Sequence, residues 1–165
     1  MTKILILGLG NILMADDGVG VRVVERLRKK YRFPRRVGLV DGGIRGLALL
    51  PHLEGVRRLL VVDAVESSKG PGRLTRLIGE EVLPLQPRRM FQHQDGLAEL
   101  LFAARSAELC PEEVVVWGVV PAVVTPGPEL SIQVASRLDD LVDRVVEELQ
   151  RWGVTPQPKE SLTNP

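Results

Sequence analysis

A chain of 165 residues with 44% apolar and 26% charged residues can bury one good core and gives no reason to expect a second. Its formal net charge of +1 supplies no field that would select nucleic acid or an anionic membrane, and short basic clusters such as Arg28-Lys29-Lys30 and Arg57-Arg58 read as solvated helix ends and loops. The single cysteine, Cys110, excludes an intrachain disulfide, and standing before Pro111 with no base beside it in sequence it reads as a loop residue, not a nucleophile.

The N-terminus enters directly into a strand-like run, Ile4 to Leu9, without the basic lead and cleavage site of a signal peptide, so the cytoplasm is the expected compartment. A helix follows, with Val19, Val23, Leu27 and Tyr31 on one face. Val37 to Val40 is a second buried strand, and a short helix is expected from about Gly46 to Glu54, bent or ended by Pro51. Leu59 to Val62 is a third strand. Gly70-Pro71-Gly72 marks a turn into an edge strand over Arg73 to Leu77 that the alternation suggests runs antiparallel to its neighbours.

Leu97, Leu100, Leu101 and Ala104 repeat at helical spacing after Asp95, and Val114 to Val119 is a further buried strand. Ser131 is placed to cap one long closing helix whose stripe is Val134, Leu138, Leu141, Val145, Leu149 and Trp152, with Asp140, Arg144 and Glu148 off that stripe. Beyond Gly153 the apolar periodicity stops, and residues 154–165 are expected to form a flexible tail. No run is long and apolar enough to span a membrane. The fold class expected is α/β: a single three-layer domain over residues 1–153, with a twisted, mostly parallel sheet of about five strands and helices on both faces.

Ligand sites in such sheets collect at the carboxyl ends of the strands. There Asn11, Asp16 and Asp17 follow the first strand, Asp41-Gly42-Gly43 the second, and Asp63 closes the third. His93 stands just before a helix, whose positive end keeps an imidazole neutral and able to ligate a metal. Two nearby carboxylates repel one another unless a cation lies between them, so two acids and a histidine suit a divalent ion with open coordination positions. Each residue also has a plainer use: Asp16 or Asp17 as a helix cap, Asp41-Gly42-Gly43 as a tight turn, His93 as a loop residue, His52 as a surface residue near a helix end. Gly8 and Gly10 suggest a dinucleotide fingerprint, but Leu13 stands where its third glycine belongs and two acids follow.

Taken in order, Gly8-Leu-Gly-Asn-Ile-Leu-Met-Ala-Asp-Asp-Gly-Val-Gly20, Val40-Asp-Gly-Gly43, Val62-Asp-Ala64, Pro71-Gly72, His93-Gln94 and Gly118-Val-Val-Pro121 resemble the hydrogenase maturation proteases. The resemblance implies a metal-recognising endopeptidase that removes a C-terminal extension from the precursor of a nickel-iron hydrogenase large subunit after nickel insertion. It implies nickel supplied by that substrate, with another divalent metal able to occupy the site in isolation. Residue by residue it carries the metal ligands onto Asp17, Asp63 and His93, and cleft or substrate contacts onto Asn11, Asp41, Gly42 and Gly43. Ile44 and Ala122 depart from the commoner family pattern, which bears on substrate specificity. The alternatives are a peptidyl-tRNA hydrolase, which shares Gly8-Leu-Gly-Asn11 but needs a histidine soon afterwards that is absent here, and a non-catalytic chaperone of the nickel-loaded subunit.

Overall fold

The first strand, β1 (Lys3–Leu9), is apolar on both sides because both sides are covered. Ile4 and Ile6 enter one core, and Leu5, Leu7 and Leu9 enter another on the opposite face. A computed structural model describes residues 3–82 and 95–160. In chain order it continues with α1 (Val19–Lys30), β2 (Tyr31–Arg32), β3 (Val37–Gly43), β4 (Val56–Ala64), β5 (Leu74–Ile78), α2 (Asp95–Ser106), β6 (Glu113–Val119), α3 (Ile132–Ala135), α4 (Leu138–Arg151) and β7 (Gln157–Pro158).

The main sheet has five strands in the order β3-β1-β4-β6-β5. The first four are mutually parallel, and β5 closes the edge antiparallel to β6, as its turn and alternation predict. On one face α1 and α4 bury Val23, Leu27, Leu141, Val145 and Leu149 against Ile4, Ile6, Leu60 and Val62. On the other, α2 and a 3-10 helix over Gly46–Leu53 bury Leu49, Leu53, Leu100 and Leu101 against Leu5, Leu7, Leu59 and Val61. Each such fully buried side chain contributes about 1.5–3 kcal/mol relative to exposure.

Two expectations are corrected. The closing helix is not continuous: Ser131 accepts a hydrogen bond from Val134 N as expected of a cap, but it caps only α3. At Arg137 the backbone tightens to a 3-10 bond, its N–H donating to Val134 O at 2.9 Å, and Arg137 Nε donates to Gly72 O at 3.0 Å, tying the break to the turn before β5. Residues 154–160 do not leave the domain. Val154 is buried, and β7 pairs antiparallel with β2, because Tyr31 and Arg32 end α1 as an extended edge in need of a partner; residues 161–165 lie outside the described residues.

Glu148, set off the apolar stripe, is nevertheless buried. Its carboxylate accepts from Arg76 Nε, from Arg76 Nη2 at 3.3 Å, from Trp117 Nε1 at 3.0 Å and from Arg151 Nη1 at 3.2 Å. The cluster fastens α4 to β6 and to the edge strand β5. Burial alone would raise the Glu148 pKa, but the hydrogen bonds from Arg76 and Trp117 and the charges of Arg76 and Arg151 outweigh it and hold the group below its ordinary value. Its contribution to stability is therefore present above the unfolded value of about 4.3 and lost as pH falls through the lower folded value. Glu148→Ala, which leaves Trp117 N–H and Arg76 without their acceptor, is expected to cost about 2–3 kcal/mol. That is a melting temperature lowered by about 4–12 °C, measured by thermal unfolding at pH 7.

Candidate functional site

The order of the strands creates the site. From β1 the chain passes to β3 on one side and then back across to β4 on the other, so the direction of winding reverses between β1 and β4. A crevice opens at the carboxyl ends of two strands that part in this way. Asp63 is the penultimate residue of β4, and Asp17 stands in the loop that leaves β1, inside a 3-10 turn over Ala15–Gly18.

That loop is held in a conformation few sequences allow. Gly10 has φ 117°, and a Cβ there would lie 1.7 Å from Asp17 O and 3.6 Å from Asp63 Oδ1, so only glycine lets the two acid-bearing segments meet. Gly20 is equally constrained: a Cβ would stand 2.1 Å from Val62 O, and its absence lets the first turn of α1 seat on the sheet beside Asp63. Ala15 has φ 51°, a left-handed conformation costing about 1 kcal/mol for a residue with a Cβ. Its N–H donates to Gly127 O at 2.8 Å, which helps hold it there.

The adjacent acids stand in different surroundings. Asp16 is fully buried, and its carboxylate accepts from Ala122 N (2.8 Å), Val123 N (2.9 Å), Ser131 N (2.7 Å) and Ser131 Oγ (2.8 Å). It clamps the segment after β6 and is committed entirely to structure. Neither acid caps α1, whose N-cap is Gly18 with no side-chain bond. Asp17 Oδ2 accepts from Asn11 N at 2.8 Å, and Asp63 Oδ1 from Ala64 N at 2.8 Å. Among the described residues, Asp17 Oδ1 and Asp63 Oδ2 have no hydrogen-bond donor, and both residues are buried, at 7% and 8% exposure.

Burial, and after it the nearby Asp17 carboxylate, push the Asp63 carboxyl well above its usual range against the opposing Ala64 N–H. Such a pair of carboxylates, each with an oxygen to spare, is suited to a cation, which would offset both the burial and the mutual repulsion. Among the described residues no three His, Cys, Asp or Glu side chains gather closely enough to hold an ion. His93, the expected third ligand, lies outside the described residues.

Of the other expected site residues, Asn11 shapes its own loop: its Oδ1 accepts from Leu13 N at 2.9 Å while its N–H holds Asp17. Asp41 is exposed on β3, paired in register with Gly8 on the side of β1 away from β4. Gly43 O accepts from Gly10 N at 3.0 Å, at a bulge between β1 and β3, so the Gly42-Gly43 turn buttresses the acid-bearing loop. The role of Asp16 and Ser131 is missed by sequence reasoning; the only signal is the Asp16-Asp17 doublet itself, in which two acids invite two tasks.

Fold and site together define a doubly wound α/β protein with an acidic crevice at its switch point. The model of the hydrogenase maturation proteases matches residues 21–148, and the chain belongs to that family. It is 35% identical over 161 residues to the hydrogenase 2 maturation protease of Escherichia coli, covering 97% of this chain and 98% of that one. It is 38% identical over 156 residues to the hydrogenase expression/formation protein HoxM of Cupriavidus necator, covering 93% and 77%. The solved structure of the hydrogenase maturating endopeptidase HybD from E. coli superposes with a TM-score of 0.90 at 35% identity, over 96% of this chain and 98% of that one. The peptidyl-tRNA hydrolase alternative is set aside by this membership. No helix among the described residues is long and apolar enough to cross a membrane.

Proposed function

We propose that this protein is the endopeptidase that removes the C-terminal extension of a nickel-iron hydrogenase large-subunit precursor after nickel insertion, and that Asp17, Asp63 and His93 recognise the nickel the precursor carries. The observation that supports this most directly is the carboxylate pair at the β1–β4 switch point, with one oxygen of each acid uncommitted. A buried carboxyl next to a second carboxylate is a poor site when empty and a good one when a divalent cation arrives, so binding is coupled to the presence of the metal. Precursor without nickel offers nothing to offset the burial of Asp63.

In this reading Asp17 and Asp63 supply two oxygen ligands and His93 the third, leaving the rest of the coordination sphere to the precursor. Docking on the ion brings the neighbouring peptide bond into fixed register with the crevice, which converts recognition into positioning. Asn11 and Gly10 keep Asp17 turned toward Asp63, and Asp41 stands ready to contact the extension from the β3 side. No serine or cysteine nucleophile is needed.

The test is incubation of the purified protein with its cognate precursor, nickel-loaded and nickel-free, followed by intact-mass analysis. Loss of a C-terminal peptide from the nickel-loaded form alone is the expected result. Equal cleavage of both forms would remove nickel recognition from the proposal, and tight binding without cleavage would make the protein a chaperone.

A further inference from the structure

Exposed large apolar side chains on this protein are not scattered. Of the eight among the described residues, Ile12, Leu13, Ile44, Leu47, Val123 and Ile132 belong to the segments that leave β1, β3 and β6 at the carboxyl edge of the sheet. This is the edge that carries Asp17 and Asp63. Of these six the most exposed are Ile132 at 87%, Ile44 at 76% and Leu13 at 65%.

These segments are laced together by main-chain bonds. Gly10 N donates to Gly43 O at 3.0 Å, which fixes the residue before Ile44 against the acid-bearing loop. Gly127 N donates to Leu13 O at 2.8 Å, and Asp16 N to Val123 O at 3.0 Å. Ser131, immediately before Ile132, donates its N–H to Asp16 Oδ1 at 2.7 Å. The apolar side chains are thus held outward by an ordered frame, at a cost in hydration that folding alone does not recover. Of the cations near these segments, Arg45 is turned back onto the carbonyls of Asp41 and Gly42, and Arg22 donates to Pro128 O at 3.3 Å.

We infer that these apolar residues form a rim that grips apolar side chains of the precursor polypeptide close to the bond to be cut, with Leu13 and Ile44 as its principal contacts. The inference rests on the proposed endopeptidase function. Its occupant follows from continuity: a chain whose cleaved bond reaches Asp17 and Asp63 must cross the loops that bear this rim. A frame already ordered spends little binding energy on being shaped, so its contacts act on affinity. They do not act on the chemical step.

The experiment is steady-state cleavage of the full-length nickel-loaded precursor by wild type, by Leu13→Asp/Ile44→Asp, and by Ile78→Asp. Ile78 is also exposed, but it pairs with Val115 toward the opposite end of β6 and serves as the control. The double variant is expected to raise KM by about tenfold or more with kcat within about twofold, and Ile78→Asp to change neither. Circular dichroism and melting of each variant establish that it folds, as replacement of exposed side chains allows. An unchanged KM in the folded double variant, or a fall in kcat alone, overturns the rim. So would a wild-type dimer that the double variant dissolves without any change in KM, since the surface would then belong to a second copy of the chain. If wild type cuts no precursor while Asp63→Asn and wild type bind it equally, the endopeptidase reading itself has failed, and the rim as a cleavage determinant with it.

Discussion

Replacing Asp63 by Asn is expected to lower cleavage of the nickel-loaded precursor by about a thousandfold or more while raising the melting temperature of the isolated protein. The loss of activity follows from removing one of two charged oxygen ligands from a site proposed to position the substrate through its metal, an interaction worth several kcal/mol. The gain in stability follows from the environment of Asp63. Its carboxyl is held above its ordinary range first by burial and then by Asp17, so the folded protein binds a proton more readily there than the unfolded chain does. The sign is therefore opposite to that of Glu148. Stability associated with Asp63 is fully present below the unfolded value of about 3.9 and declines as pH rises toward the higher folded value.

Asparagine keeps an oxygen for the Ala64 N–H and carries no charge, so at pH 7 Asp63→Asn is expected to gain on the order of 1 kcal/mol, or about 2–4 °C. The paired measurement is intact-mass kinetics beside thermal unfolding between pH 5 and 8. A variant with both normal cleavage and normal stability would dismiss the carboxylate pair as the functional centre. Saturation with a divalent cation should raise the melting temperature of wild type more than that of the variant, since only wild type presents both charges to it.

For the neighbouring residue the pattern is reversed. Asp16→Ala is expected to destabilise the protein by about 3–5 kcal/mol, lowering the melting temperature by about 6–20 °C. The substitution strands the N–H groups of Ala122, Val123 and Ser131 and the Ser131 hydroxyl, which all converge on one buried carboxylate. Asp16→Asn is a milder form of the same damage, since an amide keeps one acceptor but turns an NH2 toward donors. Asp17→Asn, one residue further on, should leave stability almost unchanged and remove most of the activity. Identical melting behaviour for Asp16→Ala and wild type would refute the clamp.

The strands, the antiparallel edge and the register of α1 were legible in the sequence because each depends on local periodicity. Buried runs between two helical layers carry apolar residues at every position, and the Gly70-Pro71-Gly72 turn announces a change of direction. Asp17 and Asp63 could be nominated because residues that end parallel strands face the edge where ligands bind. What remained open was settled by contacts between distant parts of the chain.

Nothing in the doublet Asp16-Asp17 tells which acid is structural. That choice is made by donors 106 to 115 residues further along, on a loop brought alongside only when β6 takes its place in the sheet. The burial of Glu148 is hidden for the same reason: nothing local marks a charge off the apolar stripe as enclosed until Arg76 and Trp117, on two other strands, surround it. The stop expected at Gly153 failed because β7 draws its pairing from β2, an edge that has no periodicity to reveal it. The sequence by itself determined the elements and the candidate acids, whose signals are local patterns of burial and capping. The tertiary structure alone decided the strand order, and with it the switch point and the structural commitment of Asp16, because those depend on which partners reach a buried group.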